Sequence, residues 1–560
     1  MTKARHLTDK QRSLLLGIAM FTMGGCGLAY EYTLSKIASD LLGNSVQQWA
    51  IIIALMLFFM GIGADLQQYI EDKKLIGALV CSQIILGIAG GFGSILILFS
   101  FSLFPAQFII IQYGLISIIG LMIGFEIPLL TRINQFYSED VKTNIARILK
   151  MDYIGALCGA LFWVFVLPRY FTMVETGYII GLITLATTAL CLVIFKSELA
   201  HTKRLWLTCA LSSICLCVGF SNAKGWTHNA EQYLYRDRIV FSETTKYQHI
   251  VITESPAKVI ACYINGHLQF NDSDEYIYHE NLVHPAMQIA LRRKNILILG
   301  GGDGLAAREV LKYEDVETVT LVDLDPLMTE LARTSEFFLR MNRDSLNNAK
   351  LVILENGALI EAPEQALYVP NQKKLDPTEN ELVAQVSILN VDAAKFVAQA
   401  KGKYDVIIID FPDPNAIELA KLYSQHFYGL LRNKLAADGI FVQQSTSPVH
   451  ASEAYLCIGR TMESANLAVL PYHDNVPSFG EWGWWIGGRD DRYSPSSIRS
   501  KIENIPKISV ETDYLTLPLI RGSLAFGKGQ LDSANKDINT ITSPKVYDYY
   551  LQGWRTMNGR

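Results

Sequence analysis

The chain has 560 residues, half of them hydrophobic, and its 49 basic and 54 acidic side chains leave a formal net charge of −5. That length is more than one hydrophobic core holds, so at least two domains are expected. The slightly acidic balance excludes nucleic acid as a main partner, which would call for a basic face.

Composition divides the chain sharply. From Ser13 to about Asn222 it runs as long apolar segments, whereas the remainder has the charge density of a soluble enzyme. The segments 13–33, 46–63, 75–99, 108–130, 152–171, 174–196 and 204–221 each approach the roughly 20 apolar residues that a bilayer requires. They predict an α-helical, multi-pass domain of the cell membrane over residues 1–222, with the lipid bilayer as its partner. Lys3, Arg5, Lys10 and Arg12 precede the first span, but no small-residue cleavage site follows it, so it is not read as a signal peptide. Basic residues concentrate in the segments on the N-terminal side, and the opposite segments carry only Lys36 and Arg169. This asymmetry favours an N-terminus inside. Seven spans then put the C-terminal domain on the opposite side. One span more or fewer reverses that, and the seventh is among the shortest, so the side is left open. Glu31 and Glu126 lie near span ends, where a substrate path and simple satisfaction by helix ends fit equally well.

Seven of the nine cysteines lie in these apolar segments, and Cys262 and Cys457 in the rest of the chain have no paired spacing. Neither a zinc site nor a disulfide framework is expected, and no metal is assigned.

Within residues 223–292, after a short polar stretch, Glu231 to about Ala290 alternates in a strand-like way, with Asn265-Gly266 as a hairpin turn, and predicts a small antiparallel β subdomain. Over 293–530 buried strands at 295–299, 316–323, 386–391, 404–410 and 439–444 alternate with helical segments. That rhythm predicts a Rossmann-like, methyltransferase-type doubly wound parallel sheet. A polar insertion at about 355–385 reads as a surface excursion without chemistry, and the tail 531–560 is polar until a segment around Tyr547 that is expected to dock.

The most informative stretch is Gly300-Gly-Gly-Asp-Gly304, between the first of these strands and the helix-like Leu305-Ala-Ala-Arg-Glu-Val. A glycine turn there lets a ligand approach backbone that side chains would block. In a dinucleotide fingerprint the third glycine would fall at Leu305, and the acidic Asp303 sits inside the loop. A carboxylate there repels a pyrophosphate and suits a cationic ligand. Ligands of such sheets bind beyond the carboxyl ends of the strands, and those ends are acidic: Asp303, then Asp323 and Asp325, then Asp392, then Asp410 and Asp413. Asp323, twenty residues after Asp303, has the spacing of a ribose-binding carboxylate, and Asp392 could accept from an adenine amino group. The remaining acids have no role toward a neutral nucleoside and suit amines.

With Tyr247-Gln248, Asp274-Glu-Tyr-Ile-Tyr-His-Glu280, the glycine loop with Arg308-Glu-Val-Leu, Asp392 and Asp410-Phe-Pro-Asp-Pro414 in this order, the chain over about 230–490 resembles the spermidine synthase family of polyamine aminopropyltransferases. The apolar segments, Lys421-Leu-Tyr-Ser and Val476-Pro-Ser-Phe-Gly-Glu-Trp-Gly resemble its membrane-attached branch. The resemblance implies transfer of an aminopropyl group from decarboxylated S-adenosylmethionine to a diamine, usually putrescine, giving spermidine and methylthioadenosine without a prosthetic group. It implies that Gln248, Asp323, Asp392 and Ala393 hold the nucleoside, with Asp303 at the aminopropyl end. Tyr278 and His279 would line the amine channel, Asp413 would anchor the diamine, and Asp410 would take the proton of the attacking nitrogen. Family members are usually dimers or tetramers, which implies a homo-oligomer.

Some positions depart from the soluble enzymes. Asp323 stands for the usual glutamate, Asp392-Ala393 for Asp-Gly, and Asn415-Ala-Ile-Glu follows Pro414 in place of a gate loop containing Gly-Pro. Trp482, Trp484 and Trp485 read equally as pocket wall or as strand core, and His473 reads as structural. Two other readings compete: another S-adenosylmethionine-dependent transferase, against which Asp303 would repel the methionine carboxylate, and a polyamine transporter or sensor that binds without turnover, against which Asp410 is retained.

Overall fold

The structure, a computed structural model, describes residues 8–42, 45–138, 140–199, 201–355, 358–361 and 384–557. It divides into two compact units, Met1–Arg238 and Ile239–Arg560.

In the first unit, α1 (Asp9–Leu42), α2 (Ser45–Leu66), α3 (Leu75–Leu103), α4 (Phe108–Gln135), α5 (Val141–Phe165), the short α6 (Leu167–Tyr170), α7 (Met173–Ile194) and α8 (Thr202–Gln232) follow one another. Seven of these helical segments are long and apolar enough to cross a membrane. Several helices outrun the expected spans at their polar ends, because polar end turns escape an apolar-window reading, whereas α5 stops at Phe165 and α7 at Ile194, short of the expected 171 and 196. Helix α5 starts at Val141 rather than 152: Asp140 caps it by accepting the N–H groups of Lys142 and Thr143 at 3.3 and 3.2 Å. Helix α8 runs ten residues beyond Asn222, to Gln232. Glu126, expected near a span end, is buried and accepts from Gln83 of α3 at 2.8 Å. Tyr30 of α1 meets Thr184 of α7 at 3.0 Å, and the Trp163 indole of α5 donates to Thr33 of α1 at 2.9 Å. These cross-helix bonds satisfy polar groups that an apolar surrounding would otherwise strand.

The contact of α1 with α5 depends on glycine. A Cβ on Gly155 would lie 1.9 Å from the Phe21 carbonyl oxygen, and one on Gly159 2.5 Å from that of Gly25.

In the second unit, β1 (Arg238–Thr244), β2 (His249–Glu254), β3 (Ile260–Ile264) and β4 (His267–Asn271) form a four-stranded sheet in sequence order. Its β3–β4 turn is Asn265-Gly266, with φ of 50° and 80°, the left-handed pair that a tight hairpin requires. Next come α9 (Glu275–Ile289), β5 (Asn295–Gly300), α10 (Leu305–Val310), β6 (Thr318–Asp323), α11 (Pro326–Thr334), α12 (Glu336–Asn342), β7 (Lys350–Glu355) and β8 (Ala358–Glu361). The chain continues through β9 (Gln385–Asn390), α13 (Ala393–Gln399), β10 (Tyr404–Asp410), α14 (Ile417–Ala420), α15 (Gln425–Arg432), β11 (Leu435–Gln444), α16 (Ser452–Ser464), β12 (Leu467–Val476) and β13 (Gly480–Arg489). Finally α17 (Pro495–Glu503) and α18 (Leu517–Gly522) lead to α19 (Lys545–Met557).

Strands β5 to β13 form one sheet in the order β12-β13-β11-β10-β5-β6-β9-β7-β8. Neighbours from β11 to β7 run parallel. The expectation of a wholly parallel sheet is corrected at both edges, where β13 and β12 add antiparallel to β11 and β8 adds antiparallel to β7. Only three residues join β12 to β13, too few for the crossover that a parallel pair needs. The insertion expected at about 355–385 is entered through a strand, β7, and its residues 362–383 lie outside the described residues. Apolar cores fill both faces of the sheet. Trp482 and Trp484 of β13 point into one and Trp485 into the other, as alternation along a strand dictates. Helix α19 joins the second core through Val546, Tyr547 and Tyr550.

Gly155→Ala is expected to lower the thermal stability of the protein, overpacking the α1–α5 contact by about 1–3 kcal/mol. Gly77→Ala, whose Cβ meets nothing within 4 Å, is the control and should be neutral or slightly stabilising.

Candidate active site

The glycine loop is the keystone of the site. Gly300 ends β5 with φ of 83° and pairs with Asp410 at the end of β10. A Cβ there would stand 2.1 Å from the Asp410 carbonyl oxygen, and one on Gly302 would stand 2.6 Å from the Asp323 carboxyl carbon. The missing side chains let the ends of β5, β6 and β10 close on one another. Three carboxylates converge there as a result.

Asp410 Oδ1 accepts from the Tyr278 hydroxyl at 2.6 Å. His279, only 2% exposed, turns Nε2 toward Asp410 Oδ2 at 4.0 Å. His279, Asp303 and Asp410 each bring one polar atom within 4.8 Å of the others, and the two carboxylates of the set suit an organic cation. Burial raises the Asp303 and Asp410 carboxyls above their usual range, and the positive charge of His279 opposes the rise in both. Asp303 also accepts from Leu305 N–H at 2.8 Å, which fixes its side chain in the loop.

Asp413 stands three residues on. The Thr446 hydroxyl donates to its Oδ2 at 3.0 Å. Among the described residues its Oδ1 is buried with no aligned donor, although Tyr550 and Gln444 stand beside it. Burial lifts this carboxyl to about 6 against those neighbours. A buried carboxylate oxygen left open is costly, and an ammonium would complete it.

At the end of β6, Asp323 accepts Gly302 N–H at 3.0 Å and Asp325 N–H at 2.9 Å. Burial raises it to about 7, with Asp303 adding and those two N–H groups opposing. Gln248 is half-buried in a turn held by Thr245, whose hydroxyl also donates to Asp325 at 2.9 Å. The turn of Gln248 is thereby tied to the loop of Asp323. Asp392 is the most occupied of the expected residues. It caps α13 by accepting Ala394 N–H at 2.8 Å, and it pairs with Lys421 at 2.6 Å. Burial works against its charge, but Lys421 and the cap hold the carboxyl low. Ala393 follows as the first, buried residue of that helix.

Tyr278 and His279 reach the strand ends from α9, where Tyr278 packs at 5.9 Å from Phe479 and 5.7 Å from Trp484 between ring centroids. Of the tryptophans, Trp484 thus backs the site through Tyr278. Tyr472 stacks on Trp484 at 5.5 Å and donates to the Asn281 carbonyl at 2.7 Å, one layer further in. His473 bonds Glu481 and the Ala525 carbonyl and stays structural.

Three groups escaped the sequence reading. Glu275 and Glu309 share Arg308, whose guanidinium meets Glu275 at 2.6 and 3.0 Å and Glu309 at 2.7 Å. All three lie inside quoted motifs, but sequence spacing does not show which acid faces which cation. Thr446 lies just past β11, and inspection of that fifth strand end would have found it. Tyr550 arrives from the C-terminal helix, with no local signal toward Asp413. Arg308→Met is expected to cost about 3–5 kcal/mol in chemical unfolding, because it removes the one guanidinium that two buried carboxylates share.

A profile of the spermine/spermidine synthase domain matches residues 275–377 and 378–493. The polyamine aminopropyltransferase 2 of Ralstonia nicotianae is 36% identical over 547 residues, spanning 96% of this chain and 98% of its own. A polyamine aminopropyltransferase of Oceanobacillus iheyensis is likewise 36% identical, over 94% of this chain and 95% of its own. A solved spermidine synthase in complex with the transition-state analogue AdoDATO aligns over 52% of this chain and 88% of its own, at 24% identity and a TM-score of 0.41. The ordered motifs, their convergence at successive strand ends and kinship over nearly the whole length agree: the chain belongs to the spermine/spermidine synthase family of polyamine aminopropyltransferases.

Proposed function

We propose that the protein transfers the aminopropyl group of decarboxylated S-adenosylmethionine to putrescine, forming spermidine and methylthioadenosine. The observation that carries the reading is the row of carboxylates Asp303, Asp410 and Asp413, with Tyr278 bonded to Asp410 at 2.6 Å and one Asp413 oxygen left open. Asp303 takes the aminopropyl ammonium of the donor, and Asp413 takes the distal ammonium of the acceptor. Asp323, Gln248 and the start of α13 at Asp392 and Ala393 receive the nucleoside.

The proximal nitrogen attacks the carbon next to the sulfonium, a C–N bond forms, the C–S bond breaks and the sulfur leaves as a neutral thioether. The proton released from that nitrogen passes to Asp410. A sulfonium leaves readily, so the site mainly aligns and desolvates the nucleophile and accepts its growing positive charge. Asp303 disfavours methyl transfer from intact S-adenosylmethionine, whose carboxylate it would repel.

The helical unit is read as a multi-pass anchor in the cell membrane. Ile110 is 75% and Phe165 69% exposed in it, the kind of apolar surface that water penalises and lipid covers.

Purified protein given decarboxylated S-adenosylmethionine and putrescine is expected to release methylthioadenosine. Absence of product with putrescine, cadaverine and spermidine alike would sink the reading. Asp410→Asn should lower kcat by about 10²–10⁴-fold while methylthioadenosine still binds. The raised Asp323 is protonated below about 7 and becomes a full acceptor above it. Methylthioadenosine binding, followed by calorimetry, should therefore tighten between about pH 6 and pH 8, and Asp323→Asn should flatten that dependence.

A further inference from the structure

Helices α9 and α10 carry a chain of buried charges that stops at the edge of the site. Glu309 is held by His284 at 2.9 Å and Lys312 at 2.7 Å. Arg308 joins Glu309 to Glu275 and is pinned by the Met341 carbonyl at 2.6 Å. Glu275 Oε2 meets His279 Nδ1 at 2.9 Å, and the carbonyl oxygen of Glu275 meets the same nitrogen at 2.7 Å. A ring nitrogen facing two oxygen acceptors must carry hydrogen, which fixes the tautomer. His279 then has one free edge, Nε2. Among the described residues it makes no hydrogen bond, and the nearest acid oxygen toward which it points is Asp410 Oδ2 at 4.0 Å.

A lone pair on Nε2 would face Asp303 and Asp410 with repulsion, whereas an N–H⁺ there is attracted to both. Burial disfavours the charged ring, but Glu275 outweighs it, with Asp303 and Asp410 adding, and lifts the imidazole to about 9. The signs therefore alternate from Glu309 through Arg308, Glu275 and His279 to the two aspartates. The charged groups facing the ring are Glu275 on its own helix, Asp303 of the glycine loop and Asp410 of β10. Tyr278 on α9 bonds Asp410 and has Tyr423 and Asp413 near its hydroxyl.

We propose that Glu275, clamped by Arg308, is a positioning residue that holds His279 as a fixed cation facing Asp303 and Asp410, so that the attacking nitrogen binds in its neutral, nucleophilic form. The inference rests on the aminopropyl-transfer reading above. The four carboxylates Asp303, Asp323, Asp410 and Asp413, less one imidazolium, leave three negative charges. The sulfonium, the donor ammonium and the distal acceptor ammonium supply three positive ones. A fourth, on the attacking nitrogen, has no partner and meets His279 instead. Without the imidazolium, that nitrogen would keep its proton to higher pH.

The test follows kcat against pH for the full-length enzyme in detergent, as wild type, Glu275→Gln, His279→Gln and the double variant, with methylthioadenosine binding as the measure of an intact site. Either single variant should lower kcat about tenfold near pH 7.5 and recover toward about pH 9.5, its acid limb moved up by about one unit. The double variant should lose no more than His279→Gln alone. Losses independent of pH, an unmoved acid limb or additive losses in the double variant would overturn the proposal. If Glu275→Gln does not fold, the His279→Gln profile decides alone. A wild-type enzyme without product defeats the function itself, whereas an active one with unmoved limbs defeats only the role of Glu275.

Discussion

Arg308 between Glu275 and Glu309 is the bond on which the catalytic unit is organised. A buried carboxylate is tolerated only when cations or donors compensate it, and one guanidinium compensates two here. Because Glu275 starts α9 while Arg308 lies in α10, the bond sets the helix that carries Tyr278 and His279 against the helix that follows the glycine loop. The Met341 carbonyl adds the end of α12 to the same clamp. Loosening it would move the side chains that face Asp303 and Asp410 before it touched those aspartates.

The second constraint is steric. The ends of β5, β6 and β10 can converge only because Gly300 and Gly302 present no side chain to Asp410 and Asp323. Parallel pairing then puts each strand's last residues beside those of its neighbour, so a row of acids spaced far apart in the chain becomes one acidic rim. Desolvation raises the carboxyls of that rim, and the surrounding donors are too few to reverse it. The result is a site short of positive charge, as an amine-binding site needs to be.

Much of this was legible in the sequence, and the failures have physical causes. Buried parallel strands are continuous apolar runs, so β5, β6, β9, β10 and β11 stood out, with Asp303, Asp323, Asp392, Asp410 and Asp413 at their ends. The antiparallel edge did not, because β12 and β13 have the same apolar look and only pairing reveals direction. Helix ends in the first unit were missed where the first or last turns are polar, as in α5 and α8. Asp392 read as a free acceptor but also serves as a helix cap and as the partner of Lys421. Side chains such as Thr446 and Tyr550 act at a distance in sequence that no local pattern encodes.

The amino-acid order by itself determined the apolar segments, the strand-and-helix rhythm, the glycine turn and the residue types at the strand ends, because these rest on local sterics and on periodic burial. Tertiary structure alone decided which acids face one another, which cation each one shares and which oxygen is left open at Asp413. Those are matters of Coulomb energy and desolvation across long chain separations. Whether an aspartate is a cap, a paired ion or a bare carboxylate depends on what the fold brings within about 4 Å of it.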